Sequence, residues 1–296
     1  MYDVYTPIIG DVARTYTFDE AMDICLKALE PMGEDYVAMI KEGFDNRWID
    51  KYENQGKRGG AYSAGAYGCH PFVLMNFNGS LDNVFTLIHE MGHSIHSYLS
   101  NKNQPFIYSQ YKIFVAEVAS TCNEVLLLEY LLKNTDDVKM KAYLLNHYLD
   151  MFKGTLFRQT QFAEFELKTN EMVEAGESLN ADNLSDLYLE INKKYYGPDM
   201  ISDDLIKCEW ARIPHFYYNF YVYQYATSFS AAVAIAHEIL KGGEVVDRYK
   251  KFLSSGCTKP PVDLLRDMGI DLESEAPIQE ALDVMNEVLD NIEKLV

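Results

Sequence analysis

LIHEMGHSIH, residues 87–96, places His89 and His93 four residues apart with Glu90 directly after the first. At 3.6 residues per turn, positions i and i+4 lie one turn apart on the same helix face, so both imidazoles can aim at one ion. Val84, Ile88, Met91 and Ile95 form an apolar stripe on roughly the opposite side, with Leu87 at its margin. The pattern predicts a helix rooted in a core, its histidine face turned to a cleft. Glu90 projects beside that face, where a carboxylate reaches a metal's water without ligating the metal, the general-base position of an H-E-x-x-H arrangement. Zinc lowers the pKa of its bound water towards ~7, which lets a carboxylate take the proton at neutral pH. A chance HExxH in a chain of this length arises about once in a hundred sequences, so the metal-binding reading outweighs that of an ordinary surface helix.

Catalytic zinc takes three protein ligands and keeps one position open. The extended HExxHxxGxxH pattern is absent, because His96 stands at its glycine and Leu99 at its last histidine. A glutamate from a later helix is the other solution. FVAEVASTCNEVLLLEY, residues 114–130, offers Glu117, Glu124 and Glu129. Glu117 and Glu124 are seven apart and share a face, so both can approach the histidines. Glu117 is taken as the ligand and Glu124 as an acceptor for a ligand histidine.

Elsewhere the periodicity is helical. TFDEAMDICLKALEPMG, from Thr17, opens with Thr17 and Glu20 in capping-box spacing and stops at Pro31 and Gly33. Similar spacing predicts helices over 34–50, 112–133, 136–172, 183–195, 216–241 and 277–295, the last with Ile278, Leu282, Met285, Leu289 and Ile292 as its stripe. The exception is GKRGGAYSAGAYGCHPFVLMNFNGS, residues 56–80. Its composition predicts a flexible glycine-rich loop, an exposed or edge strand over 72–77, a turn at NGS, and then the histidine helix. The expected fold is mainly α, a zincin-like catalytic domain with a small β-sheet beside the HExxH helix. With no repeat and no Pro- or Ser-rich linker, residues 1–296 read as one domain.

Nearly half the 296 residues are apolar, ample for a core, and the net charge of −19 disfavours nucleic acid and anionic membranes as partners. No apolar run reaches the ~18 residues of a membrane span. Five scattered cysteines without a CxxC pair do not pattern as a disulfide framework or a cysteine zinc site. The N-terminus carries acids early and has no basic start followed by an apolar run, so it does not read as a secretory signal. These features together point to a cytoplasmic protein.

FTLIHEMGHSIHSYL followed by AEVAST resembles the M3 family of zinc metallopeptidases, and GGAYSAGAYG with PFVLMNF resembles its oligoendopeptidase F branch. FRQTQFAEFE (157–166), KKYYGPDM (193–200) and RIPHFYYNFYVYQYATS (212–228) extend the resemblance along most of the chain. The resemblance implies one Zn2+ per chain held by His89, His93 and Glu117, Glu90 as catalytic base, and a histidine and tyrosines from a late segment reaching over the metal. His215, Tyr218 and Tyr225 best match those roles, with Tyr217, Tyr221 and Tyr223 nearby; Tyr218 and Tyr225, seven apart, are expected on one helical face. Members of this branch are about twice as long, with a helical N-terminal half that closes over the catalytic half. YDVYTPI resembles the start of the catalytic region, so the chain reads as the catalytic half only.

The expected activity is zinc-dependent endopeptidase cleavage of short peptides. Zinc and a tyrosine hydroxyl, with His215 assisting, stabilise the oxyanion, and the 72–77 strand, if its edge is free, pairs with the substrate backbone. The alternatives are a zinc carboxypeptidase and a metal-binding half-domain inactive without a missing partner region. Surface left by the missing half is expected to favour self-association.

Overall fold

The computed structural model describes Val4, Thr6, Ile8, Ile9 and residues 14–295; YDVYTPI falls largely outside the described residues. In chain order the regular elements are α1 (Phe18–Ala28), α2 (Glu34–Asp45), β1 (Ile49–Asp50), β2 (Tyr62–Ala64), β3 (Phe72–Leu74), α3 (Leu81–Asn103), α4 (Phe106–Ser109), α5 (Ile113–Lys133), α6 (Val138–Met151), α7 (Arg158–Glu174), α8 (Ala181–Tyr196), α9 (Tyr223–Lys241), α10 (Val245–Leu253), α11 (Pro261–Met268) and α12 (Ala276–Glu293). The fold is mainly α with one three-stranded sheet, in line with the sequence. Thr17 accepts from the Glu20 N–H and Glu20 accepts from the Thr17 N–H, so α1 opens on the expected capping box. Ser80 accepts from the Asn83 N–H to start α3, directly after the left-handed Gly79 of the NGS turn.

The sheet departs from expectation in its order. β3 is the central strand, parallel to β1 and antiparallel to β2. It has no free edge, so the pairing expected of the 72–77 strand falls away. The outer strands are β1 and β2, and β2 lies inside the stretch expected to be a loop. Glycines on either side hid it, and its three residues are too few for periodicity to register. Ser63 of β2 shares a 2.9 Å hydroxyl–hydroxyl hydrogen bond with Ser94 of α3, so the sheet does stand beside the histidine helix. The helix expected over 34–50 ends at Asp45, after which Arg47 takes φ 62° and the chain enters β1. In α12 the expected stripe is rotated: Ala281 and Val288 are buried whereas Ile278 is exposed.

The chain divides into two compact units. Leu149–Thr227 lies in one, whose core is Phe162, Phe165, Tyr188, Ile191, Ile213 and Val222. Residues 14–148 and 228–295 lie in the other. Both divisions fall inside helices, α6 and α9, which explains why no linker composition marks them. In the larger unit α3 packs along α5, and Val84, Ile88, Met91 and Ile95 are fully buried, as the stripe predicted. The helices meet at Gly92: a Cβ there would lie 2.7 Å from the Ala119 carbonyl oxygen and 2.7 Å from the Ser120 Cα. Buried Asn123 of α5 donates to the Ile88 carbonyl and accepts from the Tyr36 hydroxyl, fixing α3, α5 and α2 together. Among the described residues no helix is long and apolar enough to cross a membrane, and all five cysteines are free.

Candidate metal centre

The two histidines and Glu117 converge in the larger unit. The Oε2 atom of Glu117 lies 3.6 Å from His89 Nε2 and 3.5 Å from His93 Nε2. One ligand atom from each of the three residues lies within 4.8 Å of the others, and among the described residues theirs is the one such group of potential metal ligands. A tetrahedral ion with bonds of ~2.0–2.1 Å sets its ligand atoms ~3.4 Å apart, so the donors fit zinc in kind and in spacing. Ser120 Oγ donates to the same Glu117 oxygen at 3.1 Å, orienting the carboxylate from within α5.

Glu124 sits behind the site. Its Oε2 lies 3.3 Å from His89 Nδ1, on the ring edge away from Glu117, which leaves Nε2 as the free ligand atom. Burial acts to lower the His89 imidazole, but the Glu124, Glu117 and Glu90 carboxylates outweigh it and hold it up at about 9. Burial likewise acts to raise Glu117, and His93 and His89 override it to bring the carboxyl to about 2. Glu129, the third glutamate of α5, is elsewhere: it faces His237 at 3.8 Å in a cavity of about 1100 Å³ that none of the converging residues lines. His96 is buried and stacked on Tyr111 with centroids 3.6 Å apart; burial, then the His93 charge, pushes it down to about 3, the behaviour of a core histidine.

Glu90 is only 6% exposed, and its Oε2 has no hydrogen-bond partner among the described residues. Burial raises its pKa against the pull of His89 and His93, and a hydrogen bond with the Ser63 main chain steadies the carboxylate. A buried carboxylate with one unpartnered oxygen beside a His–His–Glu cluster is costly unless something binds there. Sequence reading missed Ser63, Ser94, Ser120 and Gly92 as contributors. Only Gly92 carries a local signal, a glycine one residue before His93.

The late segment lies in the other unit and forms an aromatic cluster of its own. His215 stacks on Tyr221 (5.7 Å, 16°) and meets Tyr218 and Tyr225 at 6.5 and 6.3 Å between centroids. The Tyr221 and Tyr225 hydroxyls are 3.2 Å apart. The three expected residues are together, with Tyr221 at their centre, but the expected shared helix face is wrong. Tyr218 ends a 3-10 segment (Pro214–Tyr218), and α9 begins only at Tyr223. Between them Asn219 (φ 31°) and Phe220 (φ 54°) are left-handed, a conformation that costs non-glycine residues roughly 1–3 kcal/mol each. No Gly or Pro announces this break.

The face of α7 holds that segment. Glu209, buried, accepts from Arg158 of α7 at 2.6 Å, from Tyr188 at 2.6 Å and from Arg212. Phe216 packs on Phe162 and Phe165, with centroids 5.5 and 5.2 Å away. Glu166 accepts from the Phe220 main-chain N–H at 2.5 Å.

Comparison with known proteins agrees with the motif resemblance. Residues 1–284 match the family described as Peptidase family M3. The chain is 52% identical over 297 residues to the Oligopeptidase PepF of Bacillus subtilis (strain 168), covering 100% of this chain and 44% of that protein. It is 48% identical to the chromosomal Oligoendopeptidase F of Lactococcus lactis subsp. cremoris, covering 100% of this chain and 49% of that one. The crystal structure of oligoendopeptidase-F from Enterococcus faecium is similar at 41% identity and a TM-score of 0.76, over 100% of this chain and 46% of that one. The chain thus spans about half the length of the curated relatives it matches. The match runs through the histidine helix, the Glu117 helix and the aromatic segment alike, and the chain belongs to Peptidase family M3.

Proposed function

We propose that this chain carries the zinc site of an oligopeptidase that hydrolyses internal bonds of short peptides. The observation that carries this reading is the convergence of His89 Nε2, His93 Nε2 and Glu117 Oε2 beside a buried Glu90 carboxylate with an unpartnered Oε2. His89, His93 and Glu117 would hold zinc. Bound there, zinc supplies Lewis acidity, making water acidic near neutral pH and polarising a carbonyl. Glu90 takes a proton from the attacking water at Oε2 and delivers it to the leaving amine nitrogen, a role its raised pKa suits. Glu124 holds the His89 tautomer by accepting from Nδ1. Tyr218 or Tyr225 donates its hydroxyl to the developing oxyanion, with His215 assisting.

A peptide backbone pairs with the free edge of β2. Such pairing reads main chain, which fits broad sequence tolerance.

Cleavage of a quenched peptide blocked at both ends, with and without chelator, tests the function. Chelator-sensitive cutting at an internal bond is expected. Cutting only of a peptide with a free C-terminus would replace the endopeptidase with a carboxypeptidase. Zinc bound without cutting would leave a metal-binding half that needs the remainder of a longer protein, as the half-length coverage of the relatives allows.

Two further results are expected. Glu117→Ala should weaken zinc binding far more than Glu124→Ala, whose effect should stay within the ~10–100-fold typical of groups that orient a ligand. A metal-competition titration with the opposite order would move the ligand role to Glu124. Phe106 and Ile107, 65% and 72% exposed, should drive concentration-dependent self-association, read as mass in solution.

A further inference from the structure

Glu166 is a buried carboxylate, 5% exposed, and among the described residues it makes no ion pair. Its partner is a main-chain N–H, that of Phe220. The contrast with Glu209 on the neighbouring segment is instructive, since that carboxylate is equally buried but is met by two arginines and a tyrosine. Burying an unpaired charge opposes folding, so stability alone does not account for a glutamate at this position. What the charge does hold is specific. Phe220 is the second of two consecutive left-handed residues, and non-glycine residues keep that conformation only where the surroundings over-determine it.

That reversal decides where four aromatic rings go. It turns the chain between the 3-10 segment carrying His215 and Tyr218 and the start of the helix carrying Tyr225, and so brings all of them around Tyr221. A charge-assisted bond from a rigid helix is among the strongest single restraints a protein can place on a main-chain amide. Phe165, the residue before Glu166, packs on Phe216 of the 3-10 segment, so α7 grips the chain on both sides of Tyr218.

We propose that Glu166 is a positioning residue for the His215, Tyr218, Tyr221 and Tyr225 cluster, acting through the Phe220 amide. The inference rests on the reading that this cluster stabilises the oxyanion. It adds to that reading a group that never touches substrate yet sets how well the hydroxyls are aimed.

The test compares Glu166→Ala, Glu166→Gln and wild type on the end-blocked peptide, alongside melting temperature and zinc content. Glu166→Ala should lower kcat by about 10–100-fold, at or below the loss of one oxyanion donor, with KM within about twofold. Glu166→Gln keeps an acceptor oxygen and should recover most of the rate. In a Tyr225→Phe background Glu166→Ala should cost little more, because both act through one group. Independently of activity, protein labelled with 15N-phenylalanine should show the Phe220 amide proton far downfield in wild type and Glu166→Gln, and moved upfield in Glu166→Ala. Unchanged kcat in Glu166→Ala, or losses that multiply in the double variant, would overturn the inference. A wild type that cuts nothing defeats the functional reading instead, and an unmoved Phe220 amide in Glu166→Ala would then overturn the positioning role by itself.

Discussion

Replacing Glu90 with glutamine should leave one zinc bound per chain and remove nearly all turnover. Glutamine is close in size and its amide cannot take a proton near neutral pH, so the proton transfer proposed for Glu90 Oε2 would be lost while His89, His93 and Glu117 remain. General-base catalysis contributes typically 10²–10⁴-fold, and the loss in kcat should fall in that range. His93→Ala should fail differently, releasing the metal, because two protein ligands hold a catalytic ion poorly. Metal analysis of the purified variants, together with the end-blocked peptide assay, separates the two. If Glu90→Gln came out folded but zinc-free, Glu90 would be a ligand and the base would have to be sought elsewhere.

Gly92→Ala should damage both stability and zinc binding, although alanine is the better helix former by about 1 kcal/mol. The added methyl would stand 2.7 Å from the Ala119 oxygen and 2.7 Å from the Ser120 Cα. Both obstacles are main chain, so no side chain can swing aside and the helices must part. Overpacking of this kind costs about 1–3 kcal/mol, which exceeds the propensity gain. The contact lies within one turn of both His93 and Glu117, so parting the helices at Gly92 opens the distance between those two side chains. Denaturant midpoints and zinc competition on the same variant measure the two effects. Wild-type values for both would mean that the glycine contact does not set the ligand spacing.

How much of this was legible in advance follows from whether each feature is local. The histidine pair is a helix-period statement, and so is the Glu117–Glu124 pair. Both could be read from spacing, and both ends of that reasoning meet at Glu117 Oε2 and His89 Nδ1. The Thr17 capping box is local as well. By contrast, β2 exists through its pairing with β3, and three residues between glycines carry no pattern of their own. At the reversal of Asn219 and Phe220 the Phe220 N–H is bound by Glu166, more than fifty positions earlier, a partner no local pattern reveals, so a helical reading of the aromatic run was the natural error. Gly92 was visible, but its meaning resides in the backbone of another helix.

The brevity of β2 has a consequence for how the protein behaves in concentrated solution. An open strand edge is a template for any extended chain, including another copy of the same sheet, and long flat edges are where sheets grow without limit. In the register with β3 only Ser63 of the three residues from Tyr62 to Ala64 turns its main-chain groups to the outer edge, and glycines stand close on both sides at 60 and 65. A peptide held at other points as well can use so short a rung. A second sheet with nothing else to hold it gains too little there to offset the freedom lost on docking, so the edge can stay open without seeding fibres.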